Sequence, residues 1–362
     1  MEAKRWIEKS IFLPKYVTGY IFAYSYKNKH REEERHDLQV RKKIQEKISC
    51  IGIGCWNFGG DWDSSAEENS IAIVHAAMDF GINFFDVAPV YGWGVSEQIL
   101  GKALKQDGRR DKVLIASKGG LLWNEAHQTT NNLSRDSLLR ECEDSLRRLQ
   151  TDYIDIYQMH WPDDKVPLEE TAEALIRLKE QGKIRYVGLS NFAQRDVDKM
   201  MTMISVDCQQ SLYNMLERNT ASYHGIPLPY RTEEEVLPNV KKHGQAFLPY
   251  SPLFQGLLAG RFLDGQKFSA RDIRNANPKL SGEQFEVYAQ CARKLRTLAE
   301  EMGRPLNELA LNWLRQKPEV TSIIGGASSY EQLEKNVHCI TWEITDQQMQ
   351  QIESIIHPFQ YQ

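Results

Sequence analysis

The chain has 362 residues, of which 41% are hydrophobic, and a formal net charge of −4. This length allows one α/β barrel or two smaller domains. The charge is uneven, because residues 1–47 carry 12 Lys and Arg against 7 Asp and Glu, whereas the rest is net acidic. No overall basic signature for nucleic-acid binding follows, and a small-molecule enzyme fits better.

The cysteines and the apolar segments bear on the compartment. Six cysteines are scattered without a C-x-x-C motif or closely spaced histidines, which predicts reduced thiols and no zinc site. The most apolar N-terminal run, at 17–26, is too short to span a bilayer, and no signal-peptide cleavage site follows it. We therefore expect a cytoplasmic protein without membrane insertion.

Residues 1–47 lack the regular alternation that follows them. Their REEER and RKK clusters predict a solvated N-terminal extension, so we place one domain boundary there and a single barrel domain at 48–362. From residue 48 onward, short β-branched or aromatic runs alternate with longer amphipathic segments. The eight predicted strands are 48–54, 82–86, 112–117, 153–159, 184–189, 206–210, 245–250 and 321–326.

The segments between these strands predict helices, because apolar residues recur at spacings of three and four. The clearest are 66–80, 135–149, 168–182 and 307–316. Eight successive βα units predict a closed (β/α)8 TIM barrel. A doubly wound sheet is the competitor, but "GIGCWNFGG" lacks the G-x-G-x-x-G spacing and no helix pattern starts there.

Two segments depart from simple repetition. The connection at 251–280 is too long for an ordinary βα loop and predicts a lid or cofactor-covering loop. The run "TDQQMQQIESIIH" at 345–357 predicts an extra C-terminal helix.

Polar residues follow the predicted strands at their carboxyl ends, where barrel active sites lie. An aspartate, a tyrosine, a lysine and a histidine gathered there are harder to explain as scaffold than each is alone. The strand-end residues are Cys55, Trp56, Asp86, Lys118, His160, Ser190, Asn191, Gln210, Tyr250, Ser251, Gly325 and Gly326, with Tyr91 five residues after Asp86. Four tryptophans follow the ends of predicted strands and are therefore expected near this mouth: Trp56, Trp93, Trp123 and Trp161.

Such a set supports proton transfer by a phenol. A free tyrosine titrates near ~10, so Tyr91 needs an adjacent cation to stabilise its phenolate. Lys118 can supply that cation and Asp86 can hold it, while His160 can hydrogen-bond a substrate oxygen. A carbonyl-polarising site of this kind needs a hydride donor, which points to a nicotinamide.

The same residues carry a resemblance to the aldo-keto reductases, specifically the bacterial-type branch near the potassium-channel β-subunits. "FFDVAPVYGWGVSEQILGKAL" resembles that family's D-x-A-x-x-Y-G-x-G-x-S-E signature, and six further blocks follow in the family's order. These blocks are "IASKGG", "DYIDIYQMHWPD", "KIRYVGLSNF", "QQSLYN", "YSPLFQGLLAGRF" and "IIGGASSYEQLEKN". The resemblance runs from about residue 48 to 357.

The resemblance implies a catalytic tetrad of Asp86, Tyr91, Lys118 and His160. It implies that a nicotinamide nucleotide is bound by Cys55, Trp56, Asp86, Ser190, Asn191, Gln210, Tyr250, Ser251, Pro252, Leu253, Gly256, Leu258, Arg261, Arg274, Gly326, Ser328, Gln332 and Asn336. The expected substrate pocket comprises Trp56, Tyr91, Trp93, Trp123, His160 and Trp161. The run from Ser328 to Glu331 predicts a capping box that opens a phosphate-binding helix.

Three departures from the family's pattern affect these expectations. Many relatives have arginine at the Ser328 position and glutamate at the Lys335 position, and the N-terminal hairpin that closes the barrel bottom is not recognisable here. We therefore expect NADP(H) to be preferred over NAD(H), but by a smaller margin than in relatives with arginine at the Ser328 position. Arg271 or Arg274 of the long loop could assist in binding the 2′-phosphate.

Two functions of different class remain. The first is an oxidoreductase of small aldehydes, ketones, alcohols or sugars, and the second is a nicotinamide-binding regulatory or channel-associated subunit with little turnover. The intact Asp-Tyr-Lys-His set favours the enzyme. The substrate, the reaction direction and the oligomeric state are not determined by the sequence.

Overall fold

A computed structural model of the chain describes residues 43–59, 67–106, 108–265, 268 and 272–360. Most of the predicted N-terminal extension, residues 1–42, lies outside these ranges, as does Arg271. The domain boundary at residues 47 and 48 therefore stays a prediction.

Eight parallel strands form a barrel, as the alternation predicted. In chain order they are β1 Ile51–Gly54, β2 Phe84–Asp86, β3 Leu114–Gly119, β4 Ile154–Met159, β5 Ile184–Ser190, β6 Cys208–Leu212, β7 Ala246–Tyr250 and β8 Ile323–Gly325. Each strand from β1 to β6 pairs with the next one in the chain, and β1 also pairs with β8. Phe247 of β7 meets the chain just before β8, where the Thr321 amide donates to the Phe247 carbonyl at 2.9 Å, which closes the ring.

Ten α-helices lie among the described residues. They are α1 Glu67–Asp79, α2 Val95–Gln106, α3 Arg135–Leu149, α4 Leu168–Glu180, α5 Gln194–Met201, α6 Leu237–His243, α7 Gly282–Glu301, α8 Leu306–Arg315, α9 Tyr330–Val337 and α10 Asp346–Ile356. The four helices predicted from periodicity correspond to α1, α3, α4 and α8, and α10 is the predicted C-terminal helix. None of the helices in the described ranges is long and apolar enough to cross a membrane.

Local sequence explains why these elements form. In α3, Leu138, Cys142, Leu146 and Leu149 recur at spacings of three and four and are all buried, while Gln150 ends the helix in a left-handed conformation. In β3 every residue is buried, because helices and the barrel interior cover both faces of a parallel strand. A continuous apolar run ending in lysine is therefore compatible with a barrel strand.

The segment just before β1 closes the amino-terminal end of the barrel. Ile44 and Ile48 are 1% and 0% exposed and pack among the inward-facing residues of the strands, including Phe84 and Leu248. The carbonyl of Lys47 accepts a hydrogen bond of 2.8 Å from the Asn83 side chain. This short segment seals an end of the barrel for which the sequence offered no recognisable element.

The connection at 251–280 contains short 3-10 turns instead of a regular helix, and both its ends are anchored on the chain that follows β6. The ammonium of Lys279 donates to Glu217 at 2.7 Å, and Asn214 donates to Glu217 at 2.8 Å and to the Ser251 carbonyl at 3.0 Å. Ser251 has a φ of 56°, a conformation that non-glycine residues rarely adopt. The start and end of the long loop thus share one buried support.

Candidate active site

Three of the four predicted catalytic side chains are in direct contact at the carboxyl end of the barrel. The ammonium of Lys118 donates to Asp86 Oδ1 at 2.6 Å, to the Val87 carbonyl at 3.1 Å and to the Tyr91 hydroxyl at 3.2 Å. Lys118 is 0% exposed. All three protons of the ammonium are therefore used, which is how a buried cation is accommodated.

Asp86 ends β2 on a charge because three other strands of the barrel supply hydrogen-bond donors to it. Besides Lys118 of β3, it accepts hydrogen bonds from Gln158 of β4 at 3.2 Å and from Gln210 of β6 at 2.7 Å, both at Oδ2. Asp86 is 3% exposed, so these donors replace the water it has lost. The carboxylate fixes the position of the lysine.

The phenol of Tyr91 is protonated at neutral pH. Burial, followed by the negative charge of Asp86, raises the pKa of Tyr91 well above its ordinary value. Lys118 contacts the Tyr91 hydroxyl, as the sequence predicts, but it lies closer to Asp86 and its charge is shared with that carboxylate. The hydroxyl is therefore a neutral phenol in hydrogen-bond contact with a cation.

His160 completes the tetrad on the other side of the tyrosine. Its ring lies edge-on to the Tyr91 ring with the centroids 5.9 Å apart. Burial, followed by the positive charge of Lys118, holds the pKa of His160 well below its ordinary value. The imidazole is therefore neutral and offers one donor and one acceptor to an oxygen placed between the two rings.

The ends of β5, β6 and β7 bring the predicted nicotinamide contacts together beside the tetrad. Asn191 accepts hydrogen bonds of 2.9 Å from both Tyr230 and Tyr250, and its amide donates to the His160 carbonyl at 3.2 Å. Ser190 accepts from the same amide at 3.1 Å. The half-buried Tyr250 ring is thereby fixed as a wall next to the catalytic groups.

Comparisons with known proteins agree with this geometry. Residues 50–357 match the Aldo/keto reductase family. Aldo-keto reductase YhdN of Bacillus subtilis (strain 168) is 37% identical over 310 residues, which cover 85% of this chain and 90% of that protein. L-glyceraldehyde 3-phosphate reductase of Escherichia coli (strain K12) is 32% identical over 311 residues, covering 81% and 84%.

The chain belongs to the Aldo/keto reductase family.

Solved structures show the same fold. A glycerol dehydrogenase from Gluconobacter oxydans superposes with a TM-score of 0.79 at 32% identity, covering 89% of this chain and 96% of that one. The holo form of an aldo-keto reductase from Bacillus halodurans gives 0.72 at 27% identity, covering 88% and 96%. This chain is thus an oxidoreductase of small carbonyl or alcohol compounds, in a family that uses nicotinamide cofactors. The predicted place near the potassium-channel β-subunits stays a prediction.

Aromatic side chains line the mouth of this aldo/keto reductase barrel. The Trp56 ring lies 4.8 Å from the Tyr91 ring, and its buried Nε1 has no hydrogen-bond partner among the described residues. Trp93 stacks on His127 at 4.4 Å and lies 6.0 Å from Trp123. Trp123 and His127 belong to a hairpin, Leu121–Trp123 with Thr129–Asn131, that follows β3.

The remaining predicted cofactor residues fall into an exposed group and a buried group. Cys55 and Leu258 are both 0% exposed, so their side chains face the core. Arg261 is exposed, and Gly256 has a φ of 103°, which only glycine adopts readily. Arg274 is ion-paired with Asp272 and stacks on Phe262 and Phe268.

The capping box predicted at Ser328 to Glu331 is wrong by one residue. The residue that caps α9 is Ser329, whose hydroxyl accepts from the Gln332 amide at 3.2 Å. Ser328 instead donates through both its amide and its hydroxyl to the Gln332 side chain, at 3.0 Å each. Asn336 donates to the Gly326 carbonyl at 3.1 Å, so the predicted adenosine-end residues do lie together.

Two residues that support the site are not marked by the sequence patterns above. Gln158 binds Asp86 and precedes His160 by two positions, so a polar residue inside an apolar strand was an available signal. Tyr230 holds Asn191 from a distant loop, and no local pattern marks it.

A second cavity, of about 370 Å³, lies at the opposite end of the barrel. Leu104, Arg110, Leu149 and Tyr153 are among its lining residues, and it does not reach the tetrad. None of the four predicted catalytic residues lines it.

Proposed function

We propose that this protein transfers a hydride between NADP(H) and a small aldehyde, ketone, alcohol or sugar, with Tyr91 as the general acid and base. The observation that carries the proposal is the buried contact of Lys118 with both Asp86 and Tyr91, next to a neutral His160. No metal-ligand cluster occurs among the described residues that would suggest a different chemistry there.

In the reducing direction, Tyr91 donates its proton to the carbonyl oxygen as that oxygen gains negative charge. The resulting phenolate is stabilised by the Lys118 ammonium at 3.2 Å, and Asp86 keeps that ammonium in place. His160 orients the substrate oxygen with a hydrogen bond. In the oxidising direction the same phenolate takes the proton back.

The residues present fit a nicotinamide. Tyr250 offers a planar ring held at its hydroxyl by Asn191, and Ser190, Asn191 and Gln210 offer hydroxyl and amide groups suited to a carboxamide. When bound there, the nicotinamide would supply the hydride. Ser328, Gln332 and Asn336 would face the adenosine end, and we propose NADP(H) over NAD(H) with a modest margin, assisted by Arg274.

The mouth aromatics Trp56, Trp93, Trp123 and Trp161 would form the substrate pocket. All six cysteines are buried and none is in a disulfide bond, which supports the proposal that the protein works in the reducing cytoplasm.

The testing experiment is a panel of carbonyls and sugar alcohols assayed with NADPH, NADP⁺, NADH and NAD⁺. We expect turnover of an activated aldehyde with NADPH and weaker turnover with NADH. Cofactor binding without turnover of any panel member would favour the regulatory-subunit alternative. Absence of binding by either nucleotide would overturn the proposal altogether.

A further inference from the structure

One buried carboxyl group next to the tetrad has no role in the proposed reaction. Glu141 of α3 is 8% exposed and lines a crevice shared with Lys118 and His160. The crevice itself is too narrow to hold a water molecule. We therefore consider the connection between Glu141 and His160 that runs through protein groups.

Such a connection exists through a single peptide group. Glu141 Oε2 accepts a hydrogen bond of 2.9 Å from the Gly120 amide, and the Gly119 carbonyl accepts one of 3.0 Å from the His160 amide. The Gly119 carbonyl and the Gly120 amide belong to the same peptide unit. Hydrogen bonds arranged in a chain polarise one another, and the effect is larger away from water.

Neither glycine of this peptide unit can be replaced by a residue with a side chain. A Cβ on Gly119 would lie 2.2 Å from the Tyr157 hydroxyl, and Gly120 has a φ of 90° with Leu133 only 2.3 Å from where its Cβ would be. Two glycines are therefore required at this point, and the Gly120 amide is left pointing at Glu141. One hydrogen bond thus joins this peptide unit to the Glu141 carboxyl group.

The Glu141 carboxyl group changes its charge near neutral pH. Burial raises its pKa to about 7, against the opposing effect of hydrogen bonds from Gly120 and Ser137 and of the charges of Arg148 and Arg140. Ser137 donates to Oε1 at 2.9 Å. The other titratable groups around Glu141 are Lys118 of β3, Tyr157 of β4, His160 after β4, Glu97 of α2 and Cys142 of α3.

We propose that Glu141 is a positioning residue for His160: through the Gly119–Gly120 peptide it sets the place of the histidine backbone, and its ionised form holds that peptide more firmly than its neutral form. A carboxylate accepts a stronger hydrogen bond from an amide than a neutral carboxyl group does. The rate of the proposed carbonyl reduction should therefore increase as the pH rises through 7 and Glu141 ionises. The inference rests on the proposed function, because it assigns His160 to the reaction.

The test compares Glu141→Gln, Glu141→Leu and the matched control Glu143→Gln. Glu143 is two residues away on the same helix, but it is half exposed and paired with Lys183. Glu141→Gln keeps the shape and an acceptor for Gly120 but cannot ionise. We expect it to remove the step near pH 7 from the profile of kcat/KM, while Glu143→Gln keeps the wild-type profile.

Glu141→Leu removes the acceptor and should lower kcat at least about tenfold without changing the Kd for NADPH, because the proposed cofactor contacts are elsewhere. If that variant does not fold, the Gln variant still decides the question. A second readout does not depend on turnover: NMR of ¹⁵N-labelled histidine, with the His160 signals assigned through His160→Gln. Since the pKa of His160 itself is well below its ordinary value, a shift of its signals near pH 7 reports Glu141.

We expect that shift in the wild type and its loss in Glu141→Gln. An unchanged pH profile and unchanged histidine signals in Glu141→Gln would overturn the inference while leaving the proposed function intact. A wild-type protein without carbonyl reduction would instead defeat the proposed function.

Discussion

Two buried aspartates that lie within the barrel strands, Asp86 and Asp155, are paired with cations at opposite ends of the strands. Asp86 at the mouth binds Lys118, Gln158 and Gln210, while Asp155 at the start of β4 binds Arg110 at 2.7 Å, Arg185 at 2.9 Å and the Ile115 amide at 2.9 Å. Both carboxylates are nearly inaccessible to water. Composition and burial alone would not distinguish them.

The partners of the two cations differ. Arg110 also donates to Thr151, Val113 and Tyr153, and together with Arg185 it sandwiches the Tyr153 ring, with each guanidinium carbon 4.0 Å from the centroid. Lys118 donates to the Tyr91 hydroxyl at 3.2 Å, and in the proposed reaction that hydroxyl gives its proton to the substrate. Neither Arg110 nor Arg185 is bonded to a tyrosine hydroxyl among the described residues, so we assign the lower cluster a structural role.

The largest effect should come from Tyr91→Phe, which removes that proton and little volume. We expect turnover to fall by ~10²–10⁴, the usual contribution of a general acid. The Kd for NADPH and the urea midpoint should stay near the wild-type values. A variant that reduces a simple aldehyde at a near-normal rate would show that Tyr91 is not the acid.

A matched pair, Asp155→Asn and Asp86→Asn, compares the two ends directly. Removing one partner of a buried ion pair costs about 3–5 kcal/mol, so both variants should show a lower free energy of unfolding in urea. Only Asp86→Asn should also lose turnover, since Asp155 contacts no group of the mouth. An equal loss of kcat in both variants would contradict the separation of roles.

Glu141 makes the stability of the fold depend on pH. Its pKa of about 7 lies above the ordinary value of 4.5, so the folded state binds the proton more tightly than the unfolded state. The resulting stabilisation is complete below about pH 4.5 and is lost as the pH rises through about 7, with an upper limit of about 3 kcal/mol. Urea unfolding of wild type and Glu141→Gln at pH 5 and pH 8 measures this.

We expect the free energy of unfolding of Glu141→Gln to increase relative to that of wild type as the pH is raised from 5 to 8. A constant difference at both pH values would show that Glu141 keeps an ordinary pKa in the folded protein.

The smallest effect should come from Ser328→Arg. The added cation is expected to change cofactor binding but not the proposed proton transfer. Because the Ser328 hydroxyl is already bonded to Gln332, an arginine should tighten NADPH by roughly 1–3 kcal/mol and leave NADH and the unfolding midpoint almost unchanged. Fluorescence titration with both cofactors gives the two affinities. Equal tightening of both would place the 2′-phosphate elsewhere.

Much of this structure could be predicted from the chain. The eight strands were predicted because buried parallel strands are continuous apolar runs, and α3 was predicted at its observed bounds because its apolar spacing is regular. Asp86, Lys118 and His160 were identified because a charged or polar residue at the end of such a run is costly unless it has partners. The structure supplies those partners within hydrogen-bond distance.

Other features could not be predicted, because they depend on residues distant in the sequence. The Ser328 capping box was misplaced because two adjacent serines each fit the pattern, and only the backbone conformation shows that Ser329 caps the helix. Tyr230 reaches Asn191 from a different loop. Ile44 and Ile48 look like isolated apolar residues among charges until the barrel surrounds them.

The sequence by itself determined the barrel, the order of its strands and the end at which the polar residues gather, because periodicity and strand direction are local properties. Only the tertiary structure decided that Lys118 is shared between Tyr91 and Asp86, that Asp155 lies in a separate cluster although it resembles Asp86, and that Glu141 is joined to His160 through one peptide group. Each of these depends on how far a group is removed from water and on which distant donors face it. Neither quantity is encoded at any single position of the chain.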